Sequence, residues 1–197
     1  NIARLLASLP GYVYSISDEG IWVHLYVKST AHLDVKGNPM TIIQSTKYPW
    51  DGNVKIIIET KKPSSFNLFL RVPSWCQKTK IFINGQAIKK ILRPGSYAKI
   101  HRLWKQKDQV QLSLSMPIER ITSHPYIKEN TDQVALKRGP LIYCIEQADN
   151  PDYDTWSLLM PSNSKHKAEW KPDLLNGIMT IKGKALAVDT ERFGDQM

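Results

Sequence analysis

Cysteine is scarce in this chain, with two in 197 residues, Cys76 and Cys144, far apart and in no Cys-x-x-Cys or Cys/His spacing. Such usage excludes a disulfide-dense scaffold and a zinc ribbon; the two thiols could pair, but buried free thiols are the expected state. No apolar run approaches the ~20 residues of a membrane-spanning helix, and no charged-then-apolar leader opens the chain. No glycine-rich loop opens a helix, so nucleotide binding has no support. Acidic residues are few, 18 against 27 basic, for a net charge of +9. That balance suits an anionic partner, nucleic acid above all, but the lysines are spread along strands and turns, so no nucleic-acid partner is expected.

Catalytic motifs are missing as well. His24, His32, His101, His124 and His166 are scattered, with no HExxH, no i/i+4 pair and no GxSxG elbow. A histidine alternating along a strand reads as a surface or satisfied residue rather than a ligand. Asp149, Asp152 and Asp154 could offer several oxygens to calcium, but the loop matches no EF-hand and lacks its closing glutamate, so a solvated acidic loop is expected and no metal site is assigned. Six tryptophans remain. Trp22, Trp75 and Trp104 lie in or beside strands and read as core or corner residues. Trp50, Trp156 and Trp170 lie in or near loops and are the candidates for a sugar-stacking, ligand-binding platform, with loop packing as the alternative.

What the chain does hold is strands. Hydrophobic residues make up 42% and charged residues 23%, enough for one largish or two small globular domains. The clearest strand, Phe66 to Val72, sends Phe66, Leu68, Leu70 and Val72 one way and Asn67 and Arg71 the other. Phe69 alone interrupts the outer face. Pro73 stops the run, because proline donates no backbone hydrogen bond and holds the preceding residue extended. Lys80 to Ile83 then leads into Asn84-Gly85, the dipeptide best suited to a type I′ hairpin turn. Before this region, residues 1–9 predict a helix with Ile2, Leu5, Leu6 and Leu9 on one face and Asn1 as N-cap. A lone helix of about nine residues is marginal in water, so it must dock on something.

Strands are further expected over 12–16 and 20–27 around a turn at 17–20, over 40–46 and 54–60 around the packed loop 47–53, and over 97–103 and 110–116 as an antiparallel pair. Beyond Pro117 the pattern weakens. From 119 to 130 the chain reads as polar and irregular, followed by candidates at 133–136, 141–146, 156–160, 168–170, 177–181 and 185–188. About eight closely spaced strands without a long helix predict an all-β architecture of two antiparallel β-sandwich domains. The expected divisions are a terminal helix at 1–11, a sandwich at 12–118 and a smaller, incomplete β-domain at 119–197.

Several segments, LRVPSWC, IFING, YAKIHRLW, VQLSLSMP and VALKRGPLIYCIEQADN, resemble in order and spacing the C-terminal part of glycoside hydrolase family 127, the β-L-arabinofuranosidase family. YPWDG at 48–52 and the opening NIARLLASLPGYVY resemble it too. One departure is Lys107, where the family usually has glycine. The resemblance implies that catalysis belongs to an N-terminal (α/α)6 barrel whose cysteine nucleophile sits in a zinc site of cysteines and a glutamate. Its cysteine pair is followed by Pro-Pro-Asn, and Asn1 resembles that asparagine, which makes the first helix the last of a missing barrel. Neither Cys76 nor Cys144 matches a catalytic or zinc position, so no cofactor and no catalytic residue are expected in this chain. Its expected partners are the barrel of the same polypeptide and a plant-type glycan. The expected role is a non-catalytic buttress. A carbohydrate-binding module with its own glycan affinity is the first alternative, and a basic nucleic-acid-binding β-domain the second.

Overall fold

The structure is a computed structural model that describes residues 1–187. The chain divides into two compact units, Asn1–Met116 and Pro117–Met197.

The first unit begins with helix α1 (Ile2–Ser8) and a single 3-10 turn, Leu9–Tyr12. Asn1 makes no side-chain capping bond, contrary to expectation; only its carbonyl enters the helix, accepting from the Leu5 amide at 3.0 Å. Ten strands follow: β1 (Tyr14–Ser17), β2 (Gly20–Val23), β3 (Ser29–Val35), β4 (Asn38–Thr46), β5 (Asn53–Thr60), β6 (Ser64–Val72), β7 (Thr79–Ile83), β8 (Gln86–Ala87), β9 (Ser96–Trp104) and β10 (Asp108–Leu114). They form a four-stranded sheet in the order β1-β2-β6-β9 and a six-stranded sheet in the order β3-β4-β5-β10-β7-β8. All neighbours are antiparallel except β2 and β6, which run parallel.

Period-two alternation builds the layer between these sheets. The four-stranded sheet contributes Ile21, Val23, Leu68, Leu70, Ala98 and Ile100, and the six-stranded sheet contributes Ile42, Ile56, Ile58, Ile81, Val110 and Leu112, all buried in one cluster. At the Asn84-Gly85 turn both residues take positive φ, 49° and 80°, as a type I′ hairpin requires.

Three further expectations in this unit are corrected. The strands near 97–103 and 110–116 do not pair with each other. Instead β9 pairs with β6 in one sheet, while β10 lies between β5 and β7 in the other. The intervening residues cross from sheet to sheet because Trp104 must stay buried, donating its indole N–H to the Phe66 carbonyl at 3.1 Å. Second, the strand expected over 20–27 leaves the ladder after Val23. Tyr26 turns into the core there and its hydroxyl donates to the Arg71 carbonyl. Third, β3 was not expected at all. It is an edge strand whose side chains are mostly exposed or half-buried, so it carries little apolar signal, yet it pairs with β4 from Ser29↔Gln44 to Val35↔Asn38.

The sheet crossing is fastened by Asp108. Its carboxylate accepts from the Asn84 side-chain amide at 2.7 Å and from the Lys105 amide at 2.9 Å, and lies 3.5 Å from the Arg102 guanidinium. The Asn84 carbonyl oxygen in turn accepts from the Gln109 amide at 2.8 Å. One residue earlier, Lys107 adopts φ of 64°, the left-handed region that favours glycine.

The second unit is made of small antiparallel sheets. β11 (Ile118–Ile121), β12 (Ala135–Arg138) and β13 (Leu141–Tyr143) form a three-stranded sheet. β14 (Leu158–Leu159) pairs with β17 (Leu186–Ala187), and β15 (Lys167–Lys171) with β16 (Ile178–Lys182). β11 occupies residues read as irregular in sequence; it is held by its ladder to β12, where Glu119 lies opposite Lys137 with the charges 3.3 Å apart. β12 runs on to Arg138, two residues past the strand expected at 133–136, and Gly139-Pro140 makes the turn into β13. Among the described residues of this unit only Gly139 and Gly177 are fully buried. The last residue of the strand expected at 185–188, Val188, and the tail 190–197 lie outside the described residues.

Two outcomes follow for the first unit. Trp104→Ala removes a completely buried ring and its hydrogen bond, and costs about 3–5 kcal/mol; chemical denaturation measures it. For Asp108, burial opposes ionisation but is outweighed by the bonds from Asn84 and Lys105 and by Arg102, so its pKa lies below the ordinary aspartate value. A depressed folded pKa stabilises the fold above the unfolded value and the contribution is lost as pH falls through the folded one. Asp108→Asn is therefore less stable than the parent by about 1–3 kcal/mol at neutral pH, and that difference shrinks as pH drops below about 4.

Candidate functional site

The three tryptophans proposed as a platform occupy different settings. Trp50 follows the cis Tyr48–Pro49 bond in the loop between β4 and β5; it is half-buried and its amide donates to the Lys47 carbonyl at 2.8 Å. Trp156 is 86% exposed. It stands on a short 3-10 turn, Thr155–Ser157, that is capped by the Asp154 carboxylate accepting from the Trp156 amide at 3.1 Å. Trp170 lies on β15 opposite Met179 and covers Gly177: a Cβ on that glycine would meet the indole ring at 2.4 Å. Trp50 belongs to the first unit and the other two to the second.

The acidic loop is organised by its own chain. Gln147 donates to the carbonyls of Asn150 and Tyr153 at 2.9 and 2.7 Å and accepts from the Thr155 amide at 3.0 Å. With Asp154 spent on a cap, the loop's geometry is explained without an ion. No group of three His, Cys, Asp or Glu side chains among the described residues is placed to hold a metal.

The thiols do not fit the zinc site that the family resemblance implies. Cys76 is buried at the Pro73-Ser74-Trp75-Cys76 corner, its Sγ bonded to the Lys78 carbonyl at 3.3 Å and accepting from the Thr79 hydroxyl at 3.3 Å. Cys144, expected to be buried, is exposed. It directly follows β13, whose three residues leave it outside any ladder.

Reading the sequence for isolated motifs missed a cluster on the outer face of the four-stranded sheet. Trp22, read as core or corner, stacks on Phe69 with centroids 3.8 Å apart and planes 3° from parallel. Lys99 Nζ lies 5.4 Å from the Phe69 ring on a strand that pairs with β6, and 3.6 Å from Glu19. Tyr97 meets the Trp22 ring edge-on, and its hydroxyl is 2.6 Å from His24 Nδ1. His24 Nε2 is 2.7 Å from the Ser15 hydroxyl. Burial and the nearby Arg71 charge hold the His24 pKa below the ordinary histidine value. The signal available in sequence was Phe69, the aromatic that breaks the polar side of its strand.

The described chain thus presents an apolar β-sandwich with an aromatic and basic outer face, followed by a smaller β-unit. The β-L-arabinofuranosidase, GH127 middle domain matches residues 20–116, and the glycoside hydrolase family 127 C-terminal domain matches residues 118–185. The chain belongs to glycoside hydrolase family 127, of which it carries the middle and C-terminal domains. A non-reducing end β-L-arabinofuranosidase of Bifidobacterium longum subsp. longum is 30% identical over 192 residues, which cover 92% of this chain and 28% of the relative. The crystal structure of a GH127 β-L-arabinofuranosidase from Geobacillus stearothermophilus T6 superposes with a TM-score of 0.91 at 39% identity, covering all of this chain and 31% of the other. A GH127 β-arabinofuranosidase structure gives 0.86 at 30% identity, with 95% and 32% covered. The chain therefore spans about three-tenths of the length of these relatives.

The two thiols should separate kinetically. In the native protein Cys144 reacts with a thiol reagent at once, while Cys76 reacts only on unfolding. Equal rapid labelling of both contradicts the corner as described.

Proposed function

We propose that this chain is the non-catalytic β-portion of a β-L-arabinofuranosidase and buttresses a catalytic barrel supplied by the rest of the polypeptide. The observation that carries this is α1. None of its residues is buried, and Ile2, Leu5 and Leu6 are 77%, 57% and 59% exposed. Leu9, Tyr12 and Ile16 extend the exposed apolar surface into the following turn and β1. A seven-residue amphipathic helix gains too little from its own hydrogen bonds to persist in water, and burying a leucine-sized side chain is worth about 1.5–3 kcal/mol. The stripe is what a helix shows when its partner is another part of a larger protein. The span of only three-tenths of the relatives supports the same reading.

Retaining glycoside cleavage needs a nucleophile and an acid/base group held across one anomeric carbon. The thiols described above have no such partner, so the residues that do the chemistry, and any zinc that activates them, are assigned to the barrel. A second reading, a carbohydrate-binding module, is favoured by one feature, the 86% exposed ring of Trp156.

An aryl β-L-arabinofuranoside assay with added zinc tests the main reading. The chain alone shows no turnover above the buffer blank, and activity is gained when the remaining portion of the enzyme is supplied. Turnover by the chain alone that disappears in Cys144→Ser overturns it. Saturable glycan binding by the chain that is lost in Trp156→Ala would establish the second reading.

A further inference from the structure

The outer face of the four-stranded sheet holds one charged group that no role above uses. β2 and β6 run parallel with Val23 opposite Leu70, Arg71 lies opposite Tyr97 on β9, and His24, the first residue past β2, reaches Tyr97. The 2.6 Å bond between His24 and Tyr97 passes across the strand that carries Arg71. The Trp22 and Phe69 stack and Lys99 form a row beside them.

Arg71 is unusual for its setting. Its Nε is buried and has no hydrogen-bond partner. Among the described residues no carboxylate pairs with its guanidinium. Its charge acts on His24, Tyr26 and Tyr48, none of which is an anion at neutral pH. Glu19, the carboxylate that this face does carry, is paired with Lys99. A half-buried guanidinium loses hydration, and the partner that best offsets the loss is a planar anion matching its fork of donors. Carboxylates do so through paired, charge-assisted bonds. The surroundings are aromatic: Tyr97 is 36% exposed beside the half-buried Trp22, rings of the kind that border bound sugars.

We propose that Arg71 anchors a binding site for the carboxylate of an acidic sugar, with Tyr97 and Trp22 bordering the sugar ring. The choice of a sugar rests on the reading of this chain as part of a glycan-processing enzyme. Arg71, Tyr97 and Trp22 all belong to this chain.

The test titrates the 197-residue chain with trigalacturonate, with its methyl ester and with a glutamate-rich peptide, by calorimetry at low salt. Trigalacturonate is expected to bind saturably, and the neutral ester at least tenfold more weakly. Arg71→Gln loses the binding, and Arg71→Lys, which keeps the charge but not the fork, falls between. Matching melting curves show that the variants fold, and the ester comparison needs no variant. Absence of trigalacturonate binding, equal binding of the ester, or unchanged binding by a folded Arg71→Gln overturns the proposal. Binding of the peptide in place of the sugar overturns it too and assigns Arg71 to a protein carboxylate. If the completed enzyme cleaves the arabinofuranoside while trigalacturonate fails to bind, this site alone is refuted and the functional reading stands.

Discussion

The first unit rests on one dry layer between two sheets. Every strand of the four-stranded sheet except edge strand β1, and the central strands of the six-stranded one, send alternate side chains into it, and Trp104 closes it without any exposure. That layer explains features that look unrelated along the chain. β9 and β10 are neighbours in sequence with a short link, the usual recipe for a hairpin, yet they belong to opposite sheets. Trp104 supplies the reason, since pairing the two strands with each other would pull its ring and the Phe66 bond out of the core. Asp108 then fixes the crossing by satisfying amides on both sides of it. Lys107 tolerates a left-handed backbone at the same place because these bonds determine the turn more strongly than its own preference does.

Much of this was legible in the residues. Alternation from Phe66 to Val72 and from Val110 to Leu114 reports burial on one side, and Asn84-Gly85 reports its turn chemistry directly. What alternation cannot report is which strands are partners. It describes faces, not neighbours, so the parallel pairing of β2 with β6 and the sheet change at Trp104 had no local signature. Edge strand β3 and strand β11 escaped for a related reason: both are held mainly by ladder bonds, and their mixed side chains look like loop. The outer-face cluster was hidden because its members, His24, Arg71 and Tyr97, are 73 residues apart at the extremes and each is unremarkable alone.

The two units make different physical statements. The first has a core that accounts for its own order. In the second, apolar residues such as Ile142, Leu159 and Leu186 remain exposed and no described apolar side chain is fully buried. Helix α1, at the start of the first unit, shares that character. Exposed apolar surface of this kind, in a chain that spans three-tenths of its relatives, fits a support whose remaining contacts are made within a larger enzyme.

The most direct measurement of that account is amide hydrogen exchange in α1, taken on this chain alone and again on a polypeptide that also carries the rest of the enzyme. Amides of the core strands β5, β6 and β10 should be protected in both. Those of α1 should exchange almost as in an unfolded peptide in the chain alone and become strongly protected in the longer protein. Equal exchange of α1 in the two would contradict the account, because the helix would then have no partner to wait for.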